Sequence, residues 1–63
     1  MYTIMFCNMR HELRLVEIND HGPILDSRDR FTFLPEHCTE PPTFENREDG
    51  WQYIRDFYPH LQP

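Results

Sequence analysis

The sequence predicts an α+β fold, in which a small three-stranded antiparallel sheet is packed by one C-terminal helix in the order βββα. Three observations carry this. Residues 2–8 and 12–18 are strand-like runs rich in aliphatic, aromatic and β-branched side chains. Residues 28–34 end in the alternating run Arg30-Phe31-Thr32-Phe33-Leu34. Residues 46–58 place Trp51, Ile54 and Tyr58 at helical spacing behind a capping residue. The whole of 1–63 reads as a single domain.

The first run has Tyr2, Ile4 and Phe6 alternating with Thr3, Met5 and Cys7, and both sets are fairly apolar. That pattern describes a central strand buried on most of both faces. Residues 8–11 then form a turn. In the second run Leu13 and Leu15 alternate with Glu12, Arg14 and Val16, as in a half-buried strand paired to the first as a hairpin. Asn19-Asp20-His21-Gly22-Pro23 is the strongest turn signal in the chain. The third strand begins either at Ile24, with a bulge across Asp26-Ser27-Arg28-Asp29, or only at Arg28.

Residues 35–42 hold Pro35, Pro41 and Pro42, three of the six prolines, and form a loop. Asn46 is the expected N-cap of the helix, with Asp49 three residues on and Glu48 beside it, where the helix dipole favours acids. Pro59 stops the helix. Gly50 costs about 1 kcal/mol relative to Ala, a cost that makes sense if the helix start lies close to the sheet. The expected core is Ile4, Phe6, Leu13, Leu15, Phe31, Phe33, Trp51, Ile54 and Phe57.

Composition narrows the function. Eleven acids against six arginines, with no lysine, leave a formal charge of −5. This disfavours nucleic-acid backbones and anionic membranes as partners. No stretch approaches the ~20 apolar residues of a membrane span. The opening residues lack a basic segment and are too short for a signal peptide, so a cytoplasmic location is expected. A chain this short buries only about 60% of its unfolded surface, so a partner chain is a natural supplement to its stability.

Few residues point to chemistry. Cys7, His11, His37 and Cys38 are candidate zinc ligands, but the first pair is mixed in type and the second contiguous, unlike the paired knuckles of zinc fingers. Two free thiols, no metal and no cofactor are expected. There is no glycine-rich phosphate loop, and carboxylates occur at no diagnostic spacing. So small a domain is also not expected to enclose a pocket of about 300 Å³. The chain therefore reads as non-enzymatic. Arg28 and Arg30 stand beside a strand bearing Phe31 and Phe33, and exposed aromatics on a sheet beside arginines can stack the bases of a nucleic acid. The plainer reading buries both rings and pairs the arginines with Asp26 and Asp29.

Protein binding is the reading that remains. Arginine, tyrosine, tryptophan and methionine are enriched at interfaces and lysine is depleted. Trp51, Tyr53, Arg55 and Tyr58 on the helix are the expected contact residues for a protein partner or a second copy of the chain. The alternative is a zinc-stabilised or nucleic-acid-contacting regulatory module.

The segment from Thr43 to Pro59 contains Phe44-Glu45-Asn46-Arg47-Glu48-Asp49-Gly50-Trp51-Gln52-Tyr53-Ile54, a strand end leading into a capped helix with an aromatic stripe. Together with the preceding strands, it resembles the short accessory early-region proteins of lambda-like temperate phages. The resemblance implies a non-enzymatic protein that modulates or inhibits a host process by binding another protein in the host cytoplasm. It carries no catalytic or ligand residue across.

Overall fold

The computed structural model describes every residue except Asp26, Ser27 and Asp29. It shows an α+β fold with a curled antiparallel sheet and one C-terminal helix. The strands are β1 (Tyr2–Cys7), β2 (Glu12–Asn19), β3 (Gly22–Pro23) and β4 (Phe31–Thr32), and the helix is α1 (Arg47–Phe57). Among the described residues the sheet has four strands, not three, in the order β3-β2-β1-β4.

The extra strand comes from the expected turn. Asp20 and His21 make a tight connection, and Asn19 Oδ1 accepts the His21 amide at 2.8 Å. Gly22 takes a φ of 112°, open to glycine and strained for other residues. Gly22 and Pro23 then pair with Asn19 and Ile18. Pro23 is tolerated because β3 lies at the sheet edge. The expected third strand over 28–34 shrinks to Phe31–Thr32, which pairs with β1 at Cys7 and Phe6. The interruption at 26–29 and the pairing of Arg28 and Arg30 with Asp26 and Asp29 lie outside the described residues.

β1 is the central strand, as its doubly apolar pattern requires. It pairs with β2 from Tyr2↔Glu17 to Cys7↔Glu12. On its other side it meets β4 and, through a mutual pair of 2.8 Å hydrogen bonds at Tyr2, the backbone of Phe44. Directly opposed residues share a face. Ile4 and Phe6 therefore stand with Leu15 and Leu13 under the helix, whereas Thr3, Met5 and Cys7 stand with Val16, Arg14 and Glu12 on the other side. Both faces of β1 are buried. Ile4, Leu13 and Ile54 form the fully buried centre, with Phe6, Leu15, Phe44, Trp51 and Tyr53 packed around it.

Phe31 and Phe33 are only half-buried and stand outside that cluster, and Phe57 is 64% exposed, so none of the three is core. Phe57 follows Ile54 by three residues, near the face that meets the sheet, but it is the last residue of α1 and its ring stays outside the core.

Asn46 caps α1 as expected, its Oδ1 accepting the Asp49 amide at 3.0 Å. The helix ends at Phe57, Tyr58 serves as its C-cap, and Pro59 opens a short 3₁₀ turn to Leu61. The loop at 35–42 likewise contains a 3₁₀ turn, Pro35–His37. Arg47 at the helix start lies over the Tyr2 ring at 5.6 Å, a cation–π contact between α1 and β1.

Gly50 is the point of closest approach. A Cβ there would lie well inside van der Waals contact distance of Leu15 Cδ2, and Leu15 Cδ1 and Cγ would both be 3.4 Å away. Alanine would gain about 1 kcal/mol of helix propensity, but overpacking costs about 1–3 kcal/mol. Gly50→Ala is therefore expected to lower the thermal midpoint, with a net loss of about 1 kcal/mol. In a double-mutant cycle, Leu15→Ala is expected to relieve the clash, with a coupling of about 0.5–3 kcal/mol.

Candidate interaction face

The buried Gly50–Ile54 ridge divides the four expected contact residues into two pairs. Trp51 and Arg55, one helical turn apart, border a shallow depression with Gln62 and Pro63. Trp51 is half-buried, and Arg55 is exposed, its Nη2 donating to Gln52 Oε1 at 3.5 Å. Tyr53 and Tyr58 belong instead to a continuous set of rings. Tyr53 packs on Phe57 at 4.7 Å, on Phe44 at 5.4 Å and on Tyr58 at 6.2 Å between centroids. His60 extends the set from Tyr58 at 6.5 Å.

His37 reaches this set from the 3₁₀ turn. Its ring meets Tyr58 edge-on at 5.9 Å and Tyr53 at 6.2 Å. It is 5% exposed, and its Nδ1 has no hydrogen-bond partner among the described residues. An unpartnered buried polar atom costs about 1–3 kcal/mol. Pro35 starts this turn, so the chain delivers His37 inward and leaves Cys38 outside, with its Sγ directed at Leu34 O at 3.5 Å.

The same geometry separates the candidate zinc ligands. Cys7 is buried in β1 and Cys38 is exposed. His11 sits at the hairpin turn with a φ of 54° and packs edge-on against Phe6 at 6.0 Å. Among the described residues, no three metal-ligating groups converge. Also among these residues, no helix is long and apolar enough to cross a membrane.

Glu36 and Tyr58 clamp the 3₁₀ turn to the end of the helix. The Tyr58 hydroxyl donates to Glu36 Oε1 at 2.6 Å. That hydrogen bond holds the Glu36 carboxyl below its usual range, and the adjacent carboxylate pushes the Tyr58 hydroxyl up from 10.0 to about 12.

Of the four expected contact residues, Tyr53 and Tyr58 lie in this ring set, where Phe57, expected in the core, and Phe44 and His37 join them. Phe57 stands four residues after Tyr53, the spacing that places two rings together on a helix flank. No local signal marks Phe44 or His37, which reach the cluster through long-range folding. In comparisons with family models, curated proteins and solved structures, nothing matches this chain.

The clamp has a defined pH window. Glu36 has a depressed pKa in the folded state, so its contribution is present above its unfolded value of 4.5 and is lost as pH falls through the lower folded value. Tyr58 has a raised pKa, so its contribution is complete below 10.0 and is lost as pH rises towards about 12. Tyr58→Phe is expected to lower the melting midpoint across the neutral range. The difference from the parent narrows in strong acid and again above pH 10.0, as thermal melts over a pH series would show.

Proposed function

We propose that this chain is a small non-enzymatic protein that acts by binding another protein. The observation that carries this reading is Phe57, a large apolar ring 64% exposed at the edge of a continuous aromatic cluster. Aromatic anchors backed by packed neighbours are the side chains that dominate binding energy at interfaces. Tyr53 supports the Phe57 ring from beneath, and Tyr58 is held by Glu36, so the surface is arranged before any partner arrives.

The contact surface in this reading is the Tyr53–Phe57–Tyr58 flank. Trp51 and Arg55 lie across the ridge and would meet a partner only if it wrapped the helix. The resemblance to short phage accessory proteins agrees with a modulator or inhibitor of a host process, acting in the host cytoplasm.

Because Tyr53 also packs on the core, substituting it would confound binding with stability. Phe57→Ala removes an exposed ring and is expected to leave the melting midpoint within about 0.5 kcal/mol of the parent. The same change is expected to weaken partner capture in affinity purification by about tenfold or more, the signature of a binding hot spot. Light scattering separates a second copy of the chain from a different protein. Capture undiminished by Phe57→Ala would remove this surface from the interface.

A further inference from the structure

The side of the sheet away from the helix carries a second feature, independent of the protein-binding reading. Four of the six arginines, Arg10, Arg14, Arg28 and Arg30, border one open cavity of about 580 Å³. Met9, Cys7 and Phe31 supply its apolar lining. So small a chain thus carries a depression of ligand size, and length alone does not bar small-molecule binding.

The folded backbone brings these arginines together. Arg10 is on the β1–β2 turn and Arg30 immediately precedes β4, twenty residues later. Asn8 ties the two segments. Its amide donates to Arg30 O at 2.9 Å, and its Nδ2 donates to the same oxygen at 3.0 Å and to Thr32 Oγ1 at 3.2 Å. The turn is closed by His11 N donating to Cys7 O at 2.8 Å, with His11 left-handed at φ 54°. Arg14 projects from β2 on the face it shares with Cys7 and Met5, with Glu12 3.9 Å away across a long, part-exposed ion pair. Such a pair is weak and leaves guanidinium donors to spare.

We propose that this cavity binds a compact polyphosphate carrying a planar ring, the chemistry of a nucleoside di- or triphosphate. Guanidinium forks match phosphate oxygens bidentately. The convergence of several forks on one cavity fits charges packed a few ångströms apart. An extended peptide spaces its side chains about 3.3–3.6 Å per residue and alternates them between faces, so an acidic segment presents its carboxylates at lower density. A phosphodiester strand carries one charge per nucleotide and would run on into a protein of net charge −5. The Phe31 ring, half-buried beside Cys7, and the Met9 side chain, 70% exposed, offer the flat and pliable surfaces on which a base can lie. The site stands on Arg10, Arg14 and Arg30 with Phe31 and Met9, and Arg28 completes the rim.

The test is isothermal titration of the intact chain with adenosine and guanosine triphosphates. Pyrophosphate, a short oligodeoxythymidylate and a polyglutamate peptide serve as separate arms, at about 50 and 200 mM salt. Backbone amide chemical shifts locate the contact. The expected result is saturable nucleotide binding tighter than that of pyrophosphate, with shifts at Asn8, Arg10, Arg30 and Phe31. Arg10→Gln and Arg30→Gln are exposed changes, and each is expected to weaken binding about tenfold with the melting midpoint unchanged. The proposal is overturned if no nucleotide binds at the lower salt, or if both substitutions leave binding intact. Polyglutamate or pyrophosphate binding as tightly as the nucleotides would reduce the site to bulk charge attraction, and tighter binding of the oligonucleotide would assign it to an extended strand. Either result also overturns the proposal.

Discussion

The contact between Gly50 and Leu15 governs how this chain folds. A helix of eleven residues is short for stability on its own, and α1 gains its stability by docking. Docking here depends on backbone approach, because the ridge facing the sheet contains only Gly50 and Ile54 as buried residues. Ile54 can join Ile4 and Leu13 in a fully buried centre because Gly50 lets the helix start settle onto Leu15. The helix-propensity cost of one glycine is thereby offset by the burial of the whole core.

This approach sorts the rest of the helix. Once Gly50 and Ile54 point down, Trp51 and Arg55 must fall on one flank and Tyr53 on the other, with Phe57 between Tyr53 and the ridge at the last position of the helix. The second flank meets His37 and Tyr58, while the first looks over Gln62 and Pro63. The exposed Phe57 ring belongs to the last position of α1, where it packs on Tyr53. The same central strand that receives the helix on one face carries Thr3, Met5 and Cys7 on the other. A protein of 63 residues in this way presents an aromatic surface on one side and an arginine-lined cavity on the other.

Much of this architecture was legible in local sequence. The β1–β2 hairpin follows from period-two alternation over two runs, and α1 from the Asn46 cap and helical spacing, because those signals act between near neighbours. The role of Gly50 was legible for the same reason: a glycine inside an otherwise apolar helix face calls for close approach. The two-residue strands β3 and β4 were not, since two residues carry no period and Gly22-Pro23 has the composition of a turn. Phe57 was misplaced because it falls three residues after Ile54, near the buried face of the helix, whereas its exposure depends on where α1 ends relative to the core. The gathering of Arg10 and Arg14 with Arg28 and Arg30 depends on the pairing of β4 with β1, a long-range event with no local signature.

Helix docking and sheet formation are therefore one cooperative event. Native-state hydrogen exchange measures this directly, by comparing the opening free energies of the Thr3 and Met5 amides in β1 with that of the Ile54 amide in α1. A single shared opening free energy for all three, equal to that of global unfolding, is expected. An Ile54 amide that exchanges through a separate, much lower-energy opening while β1 stays protected would contradict it.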